Sequence, residues 1–500
     1  MSSIINRTMY PVQTSMNLIG KMQERFATLQ SQLATGQKAS SLAEMGSSRA
    51  FDLSIRARIG RIEGYQNGID MVNMRLEVFD KVVSRLDTVE SDARAAITPS
   101  AYGSSNVNFG TAPSLARSQL DEVINLLNTD VDGRFLFAGG KVDQRPVEST
   151  ANIINGVGGK AGFKQVATER LQADQGDGLG RVTLGVSTNQ VNLAEDGAHP
   201  FGCKLSTLTS TGAAVALTPP SGAAPRTAQV QFNAVPLEGD AVTLGLTLPD
   251  GTEESITLKA VTGTPGPGEY QLGADADSTA ANFKTALQAS LTQMGKTELA
   301  SASNFAAADN FFNGQGVAVK RVQGPNFATA TALVDADPTT TVLWYKGEDS
   351  ANPRGTVTAK VDDTATVNYG AQGNESGTLA LVRSLAVVSI QSFTNADATS
   401  QGRFDAVANR NFSRLSESHN NEPGSIEMLT VELGNAKVNV KSIADRQDSY
   451  KAQLEGMLSD IETVPKEDVA MEILALQTRL QASYQATSLV SSLSLVNYLK

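Results

Sequence analysis

The sequence predicts an α+β protein: long N- and C-terminal helices forming a coiled-coil-like bundle, with a β-rich outer domain inserted between them. Three observations predict it. Apolar residues recur at steps of three and four along the first 135 residues, and again from Gly377 to the end. Residues 142–369 are instead rich in Thr, Val, Gly and Pro, with alternating segments. Within them, DAVTLGLTLPDGTEESITLKAV sets Val242, Leu244, Leu246 and Leu248 on one face. Pro249-Asp250-Gly251 turns the chain, and Ile256, Leu258 and Ala260 return on a second strand.

Each element can be justified in order. Val12, Met16, Ile19, Met22, Phe26, Leu29 and Leu33 lay one stripe along a first helix, and Gly36 stops it. Ile55, Ile59, Ile62, Tyr65, Ile69, Val72, Leu76, Phe79, Val83 and Leu86 follow a near-heptad spacing. That spacing predicts a helix over 48–97, about 75 Å long at 1.5 Å per residue. Residues 98–114, TPSAYGSSNVNFGTAPS, read as a loop, and 115–127 as a short helix. In the middle region one helix, over 278–294, is expected to pack on the hairpin through Phe283, Leu287 and Leu291. Leu379, Val382, Leu385 and Val388 resume the helical pattern, and a long helix follows over 426–461. Pro465 interrupts it. The last helix carries Val469, Ile473, Leu476, Leu480, Tyr484, Thr487, Val490 and Ser494 in one stripe. The expected domains are an N-terminal axial helix and turn (1–47), a helical core in two parts (48–141 and 370–461), an outer domain (142–369) and a C-terminal axial helix (462–500).

Composition narrows the function. With 41 basic and 52 acidic residues the net charge is −11, which argues against a nucleic-acid partner. A single cysteine, Cys203, rules out an intrachain disulfide and a cysteine-built zinc site. No apolar run reaches the length of a signal peptide or a membrane span, so neither is expected. His199 and His419 both fall in polar sequence and read as solvated loop residues without catalytic partners. NGVGGKAG (155–162) lacks the spacing of a phosphate-binding loop and reads as a glycine turn. DQGDGLG (174–180) lacks the closing Glu of a calcium loop. No enzyme, metal or cofactor is expected.

Three stretches carry a resemblance. LQSQLATGQKAS (29–40), LNTDVDGRFLFAGGKVDQRPV (127–147) and SYQATSLVSSLSLVNYL near the C-terminus are similar to segments of the flagellin superfamily. GRFLFAGG most resembles the hook–filament junction proteins of that superfamily. The resemblance covers about the first 147 and last 125 residues; the middle domain has no part in it. It implies a helical core built from both termini, stacked on copies of itself in a ring or helical layer. It further implies a neighbouring hook-associated protein and flagellin as partners, and an extracellular place in the flagellum reached by type III export without a cleaved signal peptide. It leaves room for an export chaperone.

On that resemblance Val12, Met16, Ile19, Phe26, Leu29, Leu33, Ile473, Leu476, Leu480, Leu489, Val490 and Leu493 are expected to pack between subunits. The stripe from Ile55 to Leu86 is expected to find its partner helix within the chain. Gly133, Arg134, Phe135 and Phe137 are expected at the junction of core and outer domain. There Arg134 should make a polar anchoring contact, and Phe135 and Phe137 should share one face of an extended segment. Two alternatives fit the same residues: a flagellin that forms the filament, and a secreted glycan-binding or hydrolytic module on a flagellar scaffold.

Overall fold

A computed structural model describes residues 9–100, 107–313, 317–393 and 397–498. The fold is α+β, with long helices at both ends and the strands between them. The chain divides into two compact units. The first comprises Met1–Val72, Lys360–Thr366 and Asn439–Lys500; the second comprises Asn73–Ala359 and Val367–Val438.

The first unit is built from α1 (Met9–Thr35), the start of α2 (Arg49–Ala96), the end of α10 (Ile426–Glu462) and α11 (Lys466–Tyr498). Gly36 ends α1 in the left-handed region at φ +74°, and its N–H bonds back to Gln32 O at 2.7 Å. The turns after α1 and before α11 then pair through Lys38 N–H to Glu462 O (2.6 Å) and Val464 N–H to Gly36 O (3.0 Å). This pairing sets α1 antiparallel to α11. The start of α2 runs antiparallel to the end of α10: Ile55 and Ile62 are buried against Leu454, with Ile59, Leu458 and Ile461 beside them. Arg58 bonds Tyr450, Lys451 pairs with Glu63, and Gln66 bonds Asp448 across the same seam.

The second unit holds two four-stranded sheets around α6 (Ala276–Lys296). One sheet is ordered β3 (Val182–Ser187), β4 (Gln190–Glu195), β7 (Thr227–Phe232) and β6 (Val215–Thr218). The other is ordered β10 (Glu269–Gln271), β9 (Glu253–Val261), β8 (Ala241–Thr247) and β5 (Lys204–Ser210). The expected hairpin is β8–β9, with Val242 opposite Leu258 and Leu244 opposite Ile256. Phe283, Leu287 and Leu291 of α6 share one core with residues from both sheets. Asp275 and Ser278 begin α6 with a reciprocal capping pair.

More helix lies in this region than the expected single element. α4 (Thr150–Asn155), α5 (Phe163–Gln175) and α7 (Glu298–Phe311) accompany α6, and α8 (Ser376–Ser389) and α9 (Ala398–Arg414) follow. α7 is buried almost all round, with α5, α6, α8 and α9 packed about it. Its Ala- and Ser-rich sequence has no polar face to betray a helical period. The loop expected over 98–114 is partly helix, since α3 runs Val107–Leu127 with Pro113 inside it. Phe109 anchors that early start, its ring lying 5.7 Å from Phe393 and 5.3 Å from Phe404. Tertiary packing here outweighs the cost of the proline.

Short pairs complete the strands: β1 (Asp130–Val131) with β2 (Arg134–Phe135), β11 (Lys320–Val322) with β12 (Leu333–Asp335), and β13 (Thr358–Lys360) with β14 (Thr366–Asn368). None of the helices described is long and apolar enough to cross a membrane.

Candidate assembly surface

The α1–α11 seam is built by the stripes read from the sequence. Leu29, Val469, Leu476 and Leu480 are buried together, with Ile19, Met22, Phe26, Leu33, Val464 and Ile473 packed against them. Polar groups bracket the seam: Arg25 pairs with Glu472 at 2.9 Å, and Gln23 Nε2 donates to the Tyr484 hydroxyl at 2.6 Å. Thus Leu29, Leu476 and Leu480 are buried by their own chain, and Ile19, Phe26, Leu33 and Ile473 are partly covered by it.

Met16, Leu489 and Val490 are not. Met16 is 62% exposed and Leu489 64% exposed, and Val490 is also open. The side chains of Val12 and Leu493 lie outside the described residues. Two further residues escaped the sequence reading: Met471 (62% exposed) and Leu474 (64% exposed). At 100° per residue, Met471, Leu474 and Leu489 lie on the side of α11 opposite Val469, Leu476 and Leu480. α11 is therefore apolar on two opposite faces, one closed by α1 and one open. No charged residue occurs from Leu480 to Tyr498. The missed signal was this second stripe, hidden behind the stronger first one.

The GRFLFAGG stretch has a different geometry from the expected one. Asp132 (φ 55°) and Gly133 (φ 70°) form the two-residue turn between β1 and β2, with Gly133 N–H bonded to Asp130 Oδ2 at 3.1 Å. Arg134 is exposed, and among the described residues its side chain makes no hydrogen bond or ion pair. The anchoring contact expected of it is absent because it sits at a hairpin tip. Phe135 is only half-buried, whereas Leu136 and Phe137 are both buried. The extended alternation fails because β2 ends at Phe135. From there the chain is covered on more than one side. Phe137 packs edge-on against Phe79 at 5.3 Å rather than on Phe135.

Its carbonyl accepts from Gly373 N–H (2.9 Å) and the Tyr345 hydroxyl (3.0 Å). Ala138 pairs with Gln372, so the chain leaving this point and the chain returning to it are backbone neighbours. Glu348 lies so close that a Cβ at Gly139 would stand 2.8 Å from its side chain, and one at Gly140 would come closer still. The space left by the paired glycines is the space Glu348 occupies.

The remaining motifs serve structure. Gly158 and Gly159, both at positive φ, make a tight turn closed by Val157 and Lys160. Asp174 is fully buried and accepts from Arg170, Ser303 and Gly202 N–H. His199 is buried, contrary to the solvated reading, with Nε2 2.7 Å from Asp196 and 2.9 Å from Arg181. Its polar sequence context concealed an ion-pair cluster that also ties Arg181 to the carbonyl of Ala330. His419 is exposed, and its hydrogen bond to Glu422 raises its pKa. Burial raises the Cys203 thiol to about 12, far from a reactive thiolate. Among the described residues no cluster of acidic, His or Cys side chains is disposed to hold a metal.

Residues 5–141 match the family model of the bacterial flagellin N-terminal helical region. A search of curated proteins found no match to the chain. The matched region spans α1, α2 and α3 and ends just after the paired glycines. It supports the flagellin family and, with it, a structural part in the flagellum.

Proposed function

We propose that the chain joins hook-side and filament subunits at the hook–filament junction, in the manner of hook-associated protein 3. The observation that carries an assembly role is the open apolar face of α11, with Met471, Leu474 and Leu489 exposed on a helix already closed by α1 on its other side. A helix apolar on both sides is stable where both sides are covered. Copies of the same chain in a ring or helical layer are the cover, with a hook-associated protein and flagellin above and below. Burying one such side chain contributes roughly 1.5–3 kcal/mol, so a few per subunit drive assembly.

GRFLFAGG supports the junction role over the filament role. Export through the flagellar channel with an uncleaved signal, and an extracellular place in the flagellum, follow from the same reading. The role is structural, without catalysis. Negative-stain microscopy of the purified chain seeded with filament fragments tests it. Short caps or rings on the seeds support the junction; long filaments grown from the chain alone sink it and leave a flagellin.

A further inference from the structure

We infer that two copies of the chain pair edge to edge through β3, independently of α11. Four strands end the two large sheets, and three of those edges are blunted. β10 has its Glu269 N–H bonded to Gly266 O and its Gln271 carbonyl occupied by Asn282 Nδ2. The pairing of β5 is irregular between Leu205 and Thr207, and β6 is four residues long. β3 has none of these devices. It is six residues, Val-Thr-Leu-Gly-Val-Ser, regular throughout, without charge or proline.

The hydrogen-bond parity of β3 is set by its turn. Ser187 and Gln190 close a two-residue connection, so Ser187, Gly185 and Thr183 face β4 with their backbone groups. Leu184 and Val186 present N–H and C=O to the outside, and among the described residues none of these is bonded. The side chains tell the same story. Leu184 and Val186 lie opposite Leu193 and Val191, which are fully buried on the inner face. Yet Val186 is 45% exposed, at a sheet edge with a strand neighbour on one side only.

A second β3 satisfies both deficits. Antiparallel pairing about Gly185 sets Leu184 against Val186 of the other copy, both as hydrogen-bonded pairs and both on the inner face. Gly185 then faces Gly185 in the close, non-hydrogen-bonded position, where neither carries a side chain and, beyond its chain neighbours, the space a Cβ would take is open. No like charges meet. The contact is two-fold, so it links subunits in pairs and cannot propagate round one ring or filament.

Cross-linking tests this in the full-length chain. In that register Gly185→Cys places two thiols within disulfide reach, while Ser187→Cys separates them by about 13 Å. The expected result is a rapid, reducible dimer with Gly185→Cys, little with Ser187→Cys, and loss of the dimer when Val186→Pro is added. Proline at that position removes only an outward donor and leaves the β3–β4 bonds intact. Equal, slow cross-linking of the two cysteine variants overturns the proposal, as does a Gly185→Cys dimer unaffected by Val186→Pro in a chain whose melting is unchanged. Polymer formation through α11 without Gly185 cross-linking also overturns it, and leaves the junction reading standing.

Discussion

Helices α6 and α11 are both amphipathic elements of this chain, and they settle their apolar residues differently. α6 puts Phe283, Leu287 and Leu291 on one side, into a core shared by two sheets, and closes its first turn with a capping box. α11 divides its apolar residues between a side packed on α1 and a side that no described residue covers. The first pattern describes an element completed at folding. On the proposed assembly role, the second is one whose completion is deferred to another molecule. The polar neighbours agree: α6 has Asp277 in its first turn and Lys296 in its last, whereas α11 carries no charge after Arg479.

Four substitutions sharpen or break this contrast. Phe283→Ala should cost about 3–5 kcal/mol of folding stability, since the side chain is buried; a urea melt unchanged by it removes α6 from the core. Leu489→Asp should leave that melt within about 0.5 kcal/mol of the parent. It should weaken assembly by roughly 3 kcal/mol, about a hundredfold in critical concentration. A seeded-growth assay reads this directly, and unfolding of the variant monomer would show that the open face belongs to the chain's own core.

Glu90 offers a pH test confined to the second unit. Burial, then the charge of Glu427, raises its pKa to about 7, with Asp87 adding to the effect and Arg94 and His419 opposing it. A raised folded-state pKa gives a stabilising contribution fully present below about pH 4.5 and lost as pH rises through 7. Glu90→Gln should therefore flatten the melting profile between these limits and gain roughly 1–2 kcal/mol at pH 8, after allowance for its partial exposure. Identical pH profiles for variant and parent would refute it. The smallest effect belongs to Thr188, a β-branched residue at φ 54° in the β3–β4 turn. Thr188→Gly should stabilise by about 1 kcal/mol without changing assembly; a lower melting temperature would show that the turn depends on the threonine.

The long helices were legible in the sequence because their apolar spacing is regular and their stops are chemical: Gly36 at one end, Pro465 at the other. The β8–β9 hairpin was legible for the same reason, its period of two broken by Pro249-Asp250-Gly251. What stayed hidden depended on partners remote in the chain. Phe109 needs Phe393 and Phe404 before its segment is helix, and α7 has no exposed face to give it a period. In the assembly surface the stripe was visible but its cover was not. The spacing of Leu29 and Leu476 is the same whether α1 or a second molecule lies against them. Only the fold assigned that face to α1, and so singled out Met471, Leu474 and Leu489.

Ala138 and Gln372 stand side by side in the backbone, yet more than two hundred residues separate them. Topologically, the segment between them is a loop already tied at its neck. Loop-closure entropy grows only with the logarithm of length, so doubling such a segment costs about 0.6 kcal/mol. Relatives built on the same neck are free to carry inserts of very different size, and a foreign domain with adjacent termini could be spliced there without rethreading the helices that hold it.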